Sequence, residues 1–401
     1  MLAVTDGDVV IVGGGITGAA AAVALASAGA RVTLIDHQAP PLAASDAALD
    51  VRVSAIHAAA AGWLTRLEVW SLVAADRRTP FGGIQVWDAG SSGHIGFDSA
   101  ELGQPWLGHI VENRALVAAL HRRLTALPTA CRRAPAQLDH WHTDTHGVHL
   151  RLDDGSRLHA RLLIGADGAD SPLRLGAGIA CYDTPYGQCA LVCHVGTEKP
   201  HQAIARQRFL PTGPLAFLPL ADGRSSIVWS TTPDQATRLQ ALPAAQFALE
   251  LAAAFEWRLG AVTTVGERVI LPLRGRLAER YIGPRLALLG DAAHVVHPMA
   301  GLGANLGLGD AAQLTGIVID ALRAGRDPGA ADGLARYQRT RRAQNLPVVQ
   351  TIAALHRLFG ATTAPLRALR GVGLRLTDHA GPLKRALTMA ACGLDDPAFD
   401  L

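Results

Sequence analysis

The chain has 401 residues, 49% of them hydrophobic, with 37 Lys and Arg against 34 Asp and Glu and a formal charge of +3. Charge so near balance excludes a polyanion as the main partner, so nucleic acid is not expected, and the length implies two domains or one with a large insertion. Five cysteines without a repeating spacing exclude a disulfide framework and fit a reducing cytoplasm, and the longest apolar run, Ala19 to Ala26, excludes a membrane span.

Met1 leads within a few residues into a strand, so no signal peptide is expected. Asp8 to Val12 reads as that strand, followed by Gly13-Gly14-Gly15-Ile16-Thr17-Gly18. An alanine-rich helix runs to about Ser27, Gly29 closes it, and Arg31 to Ile35 forms a second strand ending at Asp36. Strand, glycine turn, helix, strand and acid make the dinucleotide fingerprint in its full context. Gly13 makes the tight turn, Gly15 lets the backbone meet a pyrophosphate, Ile16 and Thr17 open the helix, and Gly18 allows close helix–strand packing. Asp36 can accept from both ribose hydroxyls and would repel a 2′-phosphate. The plainer reading is a glycine-rich turn with no ligand.

A loop from Gln38 to Ala48, with paired prolines, leads to Asp50 through Ile56 and a helix around Ala58 to Val69. Arg52 can reach a cofactor phosphate or ring edge, or stand as a solvated arginine. Ile84 to Phe97 alternates like a hairpin over the cofactor, with Trp87 and His94 as packing residues. Leu107 to Leu127 has helical periodicity, with Asn113 and Arg114 near its start, and Leu138 to Ala160 reads as a hairpin turning at Asp153-Asp154-Gly155.

Leu162 to Ile164 is apolar and ends in a second glycine-and-acid turn, Gly165-Ala166-Asp167-Gly168, with Pro172 placed to begin a helix. Residues 180–275 alternate as strands, with a hairpin turn at Asp222-Gly223. Cys189 and Cys193 share one face of a strand while His194 faces the other, so no metal is expected. Leu286 to Leu289 is a buried strand closed by the third such turn, Gly290-Asp291. Pro298 fixes the backbone, Gly301, Leu302 and Gly303 bring main chain close to a flat ligand, and Ala304, Asn305 and the residues to Arg323 form a helix. Its free N–H groups suit a ring that becomes anionic on reduction, as isoalloxazine does at N1 and the C2 carbonyl.

Beyond Ala330, Leu334 to Phe359 is amphipathic and interrupted by Pro347, and a basic helix follows Pro365. That face is either solvated or docks onto a partner or an anionic membrane surface. The expected organisation is a cofactor domain from 1–72, 101–179 and 276–330, a substrate sheet from 73–100 and 180–275, and a helical region 331–401.

These motifs, with Arg52 to Ile56, Leu107 to Arg114, Leu215 to Leu220 and Tyr337 to Asn345, resemble the class A FAD-dependent monooxygenases of the p-hydroxybenzoate hydroxylase fold. Within them the chain is similar to the Ubi-type ubiquinone-biosynthesis hydroxylases. Val86-Trp87-Asp88, Gly93-His94-Ile95 and Met389 to Leu394 are most similar to the 2-polyprenylphenol hydroxylases among these.

The resemblance implies an α/β fold with a Rossmann-type FAD-binding domain, an inserted β-sheet substrate domain and C-terminal helices. It implies FAD, with NAD(P)H as a transient reductant bound elsewhere. Asp36 would hold the adenosine ribose, Asp167 and Gly168 would touch the nucleotide, and Asp291 would lie near the ribityl and pyrophosphate, with Arg114 in the same set. Arg52 would lie where the flavin swings, and Arg52, Pro298 and Gly303 would border the reacting ring. The implied reaction inserts one O2-derived oxygen into a 2-polyprenylphenol, at position five, through a flavin C4a-hydroperoxide. The alternatives are another aromatic or isoprenoid substrate, or a non-catalytic FAD-bound scaffold of a ubiquinone-biosynthesis complex. Implied partners are the lipid substrate, O2, such a complex or the inner membrane as a peripheral contact, and further copies in a homo-oligomer. Two residues depart from the family's pattern: Leu302 stands where glutamine is usual, and His57 where asparagine is usual.

Overall fold

The computed structural model describes residues 4–41, 49–360 and 364–400, so most of the proline-containing loop expected at 38–48 lies outside the described residues. Ten helices are described: α1 (Ile16–Ser27), α2 (Ala58–Arg66), α3 (Asn113–Thr125), α4 (Pro172–Gly176), α5 (Pro233–Ala241), α6 (Ala244–Ala254), α7 (Gly303–Arg323), α8 (Ala331–Gly360), α9 (Ala364–His379) and α10 (Gly381–Ala391).

The first sheet is built on Val4–Val12, flanked in parallel by Val32–Ile35 on one side and Arg157–Gly165 on the other. Ala130–Arg133 extends it beyond Val32–Ile35, and Leu286–Leu288 extends it beyond Arg157–Gly165. Its strands are apolar because helices cover both faces. Helix α1 explains its own composition: Ala19 through Ala26 are all buried, so an alanine face is needed on every side to let α3 and α7 come close.

The second sheet has nine described strands around the long strand Cys181–Thr197. The hairpin of Gly83–Asp88 and His94–Asp98 joins it alongside Ile204–Leu210. Helices α5 and α6 cover one face, where Leu191, Phe217, Trp229, Phe247 and Phe255 form a core. Sequence periodicity did not single out these two helices. Cys193 is buried in that core, and burial pushes its thiol up to about 12.

Two further expectations change. Gly108–Glu112 is a strand, not the start of a helix: β-branched Ile110 and Val111 are buried between Val53–His57 and Arg78–Phe81, and α3 begins only at Asn113. Helix α8 runs unbroken through Pro347, which removes one backbone donor without ending a 30-residue helix. The C-terminal segment returns to the first domain, where the Phe399 ring meets His57 at 5.2 Å and Trp63 at 6.4 Å.

Candidate cofactor and substrate site

Val12 lies opposite Ile35 on one side and Gly165 on the other, and Gly165 lies opposite Leu288. The residues that follow these strands, Gly13, Asp36, Asp167 and Asp291, therefore leave along one carboxyl edge, at the point where strand order reverses. All three predicted glycine-and-acid turns are brought to one place.

The glycine turn is tight for visible reasons. Gly13 has φ +105°, and a Cβ there would sit 2.1 Å from the Ala166 carbonyl oxygen; one on Gly18 would sit 1.9 Å from the Gly13 oxygen. A Cβ on Gly15 would meet nothing within 4 Å, and no side chain caps α1, so its first N–H groups face space that fits a pyrophosphate. The Asp36 carboxylate accepts from Gly14 N–H at 2.5 Å and Gln38 N–H at 2.7 Å. Two acceptor positions remain for ribose hydroxyls. His121 of α3 donates to the Gly14 carbonyl at 2.7 Å and steadies the turn, a role nothing in its own position signals.

The Asp167 carboxylate is engaged within the protein. Its oxygens accept from Ser171 Oγ at 2.6 Å and Leu173 N–H at 3.0 Å, so the carboxylate shapes the entry to α4. Burial raises its pKa despite those donors. Arg174, buried, donates to Ala292 O at 2.8 Å and Ala169 O at 2.9 Å, clamping the second and third turns together. Asp291 is solvent-accessible. The surrounding protein raises its pKa, against the pull of His294, Arg52 and Arg274. Gly290, at φ +55°, and Gly307 both pack onto Thr17, so α1, the third turn and α7 meet there.

At the other end of the edge, α7 starts at Gly303 with Leu302 as its N-cap and no capping side chain. The first N–H groups of this 21-residue helix are thus free for an acceptor. Gly301, at φ +61°, lets the preceding 3-10 turn at Pro298 fold back against Ala55. Asn305 locks this corner: its Oδ1 accepts from His57 N–H at 3.1 Å, and its Nδ2 donates to Ala55 O at 2.7 Å and Gly301 O at 3.3 Å. Asn305→Ala should cost about 1–3 kcal/mol of stability, since the buried partners are left unpaired. It should be seen as a lower denaturant midpoint and faster flavin loss; an unchanged midpoint would show that the corner holds without it.

The His57 side chain is engaged away from this corner. Its Nδ1 accepts from Ala60 N–H and caps α2, its ring packs on Phe399, and burial lowers its pKa to about 4. Arg52 and Arg114 are both exposed and adjacent, because Asn113 N–H bonds to Arg52 O at 3.0 Å. Of the two, Arg52 acts electrostatically on Asp291.

Sequence reading missed the support behind the third turn. Asp310 of α7, fully buried, accepts from His294 Nε2 at 2.6 Å, Arg341 Nε at 2.8 Å, Asn345 Nδ2 at 2.9 Å and Gly290 N–H at 3.1 Å. Arg341 also reaches Asp396 at 2.8 Å. Beside the Pro298 turn the protein is apolar: Phe209, Met299, Ile352 and Phe359 form a buried cluster, with Leu302 and Val296 against it.

Residues 6–351 match the family described as FAD binding domain. The ubiquinone hydroxylase UbiL of Rhodospirillum rubrum is 42% identical over 386 residues, covering 96% of this chain and 89% of that protein. The 3-demethoxyubiquinol 3-hydroxylase of Escherichia coli K12 is 39% identical, covering 96% and 98%. Among solved structures, p-nitrophenol 4-monooxygenase PnpA from Pseudomonas putida DLL-E4 shares the fold, with a TM-score of 0.80 over 99% of both chains at 20% identity.

Proposed function

The chain belongs to the FAD binding domain family as an FAD-dependent monooxygenase, and on that footing we propose that it hydroxylates the ring of a polyprenylated phenol in ubiquinone biosynthesis. The observation that carries this reading is the junction of the uncapped α7 N-terminus with a buried apolar cluster. One end suits a flavin ring that gains negative charge, and the other suits an isoprenoid-bearing aromatic.

Gly13, Gly15, Ile16, Thr17 and Gly18 would hold the pyrophosphate and Asp36 the adenosine ribose. Asp291 and the Gly290 turn would meet the ribityl chain. FAD, reduced by a nicotinamide, supplies the activated oxygen. Gly301 to Asn305 would fix the ring, with α7 N–H groups stabilising charge on its pyrimidine side. Arg52 would balance the charge of Asp291. Leu302 packs its aliphatic side chain against the apolar cluster, and the backbone donors need no side-chain amide there.

Short similarities at 86–88, 93–95 and 389–394 support a 2-polyprenylphenol hydroxylated at position five. The relative from E. coli is named for position three, which favours a second reading. Expression of this chain in E. coli strains lacking one ring hydroxylase each, followed by mass spectrometry of the quinone pool, distinguishes them. Rescue of the position-five strain alone is expected; rescue of the position-three strain supports the second reading, and rescue of none refutes both.

No described helix is long and apolar enough to cross a membrane. Exposed Val372, Leu376, Leu383 and Leu387 alongside exposed Arg375 and Arg385 on α9 and α10 support peripheral contact with an anionic bilayer from which the lipid is drawn.

A further inference from the structure

One polar cluster interrupts the apolar wall beside Pro298. Gln188 Nε2 donates to Thr212 O at 2.5 Å. A carbonyl can only accept, so the amide orientation is fixed and Gln188 Oε1 must receive what faces it. It receives two imidazoles, His297 Nε2 at 3.1 Å and His356 Nε2 at 3.2 Å. Both rings must therefore carry hydrogen on Nε2. His297 is then fully used, because its Nδ1 accepts from Met299 N–H at 3.1 Å. His356 differs: among the described residues its Nδ1 has no hydrogen-bond partner, leaving one basic lone pair.

His356 lines a cavity of about 20 Å³, room for roughly one water, with Gln188, Phe209, Met299 and Phe359 as neighbours. Tyr186 packs on both rings, at 4.9 Å from His297 and 4.8 Å from His356. The charged and titratable groups around His356 are thus Tyr186 and His297 from facing segments and Arg357 on its own helix. Burial first, then Arg357, lowers the His356 pKa. Burial takes His297 down to about 3. Both shifts favour the neutral imidazole.

We propose that His356 is the group that accepts the phenolic proton of the substrate, with Gln188 and His297 as positioning residues that hold its tautomer. The inference rests on the ring-hydroxylation reading and supplies its missing base. The phenolic O–H bond breaks as N–H forms on Nδ1, and the electron pair left on oxygen raises the nucleophilicity of the ring carbon. After oxygen transfer the ring C–H proton leaves to water, and His356 returns its proton to the phenolic oxygen. The established monooxygenase chemistry consumes one O2 and one NAD(P)H, and the proton cycle adds no reductant.

The test uses the FAD-loaded full chain with a short-tailed 2-prenylphenol. H356Q keeps a hydrogen-bonding side chain but offers no base. Its kcat should fall about 100-fold or more near neutral pH, the usual scale for a lost general base. The loss should shrink as pH rises toward the phenol's own pKa, about 10, where solvent supplies the phenolate. Q188L should show the same pH signature with a smaller fall. A pH profile parallel to wild type, or a change confined to KM, overturns the proposal. So does an H356Q protein that comes out without flavin, because the position would then be structural. Wild-type protein that oxidises NAD(P)H but never hydroxylates the prenylphenol refutes the ring-hydroxylation reading instead.

Discussion

Gly13→Ala is expected to yield a colourless, destabilised protein. The added methyl would meet backbone, not a movable side chain: Ala166 O at 2.1 Å, Ala166 C at 2.4 Å and Asp167 N at 2.8 Å. The φ of +105° adds its own cost for any L-residue. Overpacking typically costs about 1–3 kcal/mol and left-handed backbone about 1–2 kcal/mol. Together that is about 2–5 kcal/mol, and the damage falls on the wall between the first and second turns. A loss of about 3 kcal/mol from FAD binding corresponds to over 100-fold in Kd. Flavin-to-protein absorbance after gel filtration and fluorescence titration of apoprotein read it. Gly15→Ala separates the two effects. Its Cβ meets nothing within 4 Å, so apoprotein stability should stay near wild type while FAD binding weakens. Full FAD affinity in that variant would mean that the pyrophosphate does not lie against Gly15.

The second large effect is expected at Asp310. Replacing it with alanine leaves His294 without its carboxylate and Arg341 with Asp396 as its remaining counter-charge, in a site with no solvent access. Breaking a buried ion pair from one side typically costs about 3–5 kcal/mol. Chemical denaturation should show this, with early flavin release, because Gly290 loses its partner as well; a change below about 1 kcal/mol would show that the cluster does not hold α7 to α8. Burial alone would raise the Asp310 pKa, but His294 and Arg341 hold it below the ordinary carboxylate value. A depressed native pKa stabilises the fold above the unfolded carboxylate range, and that contribution is lost as pH falls through the native value. Wild type and D310N should therefore converge in stability toward strongly acid pH and diverge near neutrality.

These two residues also show what the sequence could disclose. Gly13 and Gly18 are legible because the constraint that selects them is local: a turn with no room for Cβ must be written as glycine. The same holds for Gly290, Gly301 and the apolar strands ahead of each turn. Asp310 is not legible. An acid amid the glycines and alanines of α7 reads as a solvated residue, and its partners arrive with Arg341 and Asn345, one helix later. Gln188, His297 and His356 come from three distant parts of the chain, so no spacing announces their contact. Gly108–Glu112 misled for the opposite reason. It is a short strand feeding directly into α3, and helical periodicity extends through it unless the pairing with Val53–His57 is known. Helices α5 and α6 lay within a stretch whose strand alternation dominated the reading.

The return of residues 392–400 to α2 has a consequence for biogenesis. Asp396 completes the charge cluster under the third turn, and Phe399 covers His57 and Trp63. The nucleotide-binding half is begun by Val4–Val12, yet its central sheet waits for Leu286–Leu288 and its underside waits longer still. During synthesis that half must persist as an open, aggregation-prone intermediate while the substrate sheet is made. Changes at residues 392–400 would be felt at the flavin, far along the chain from the turns that hold it.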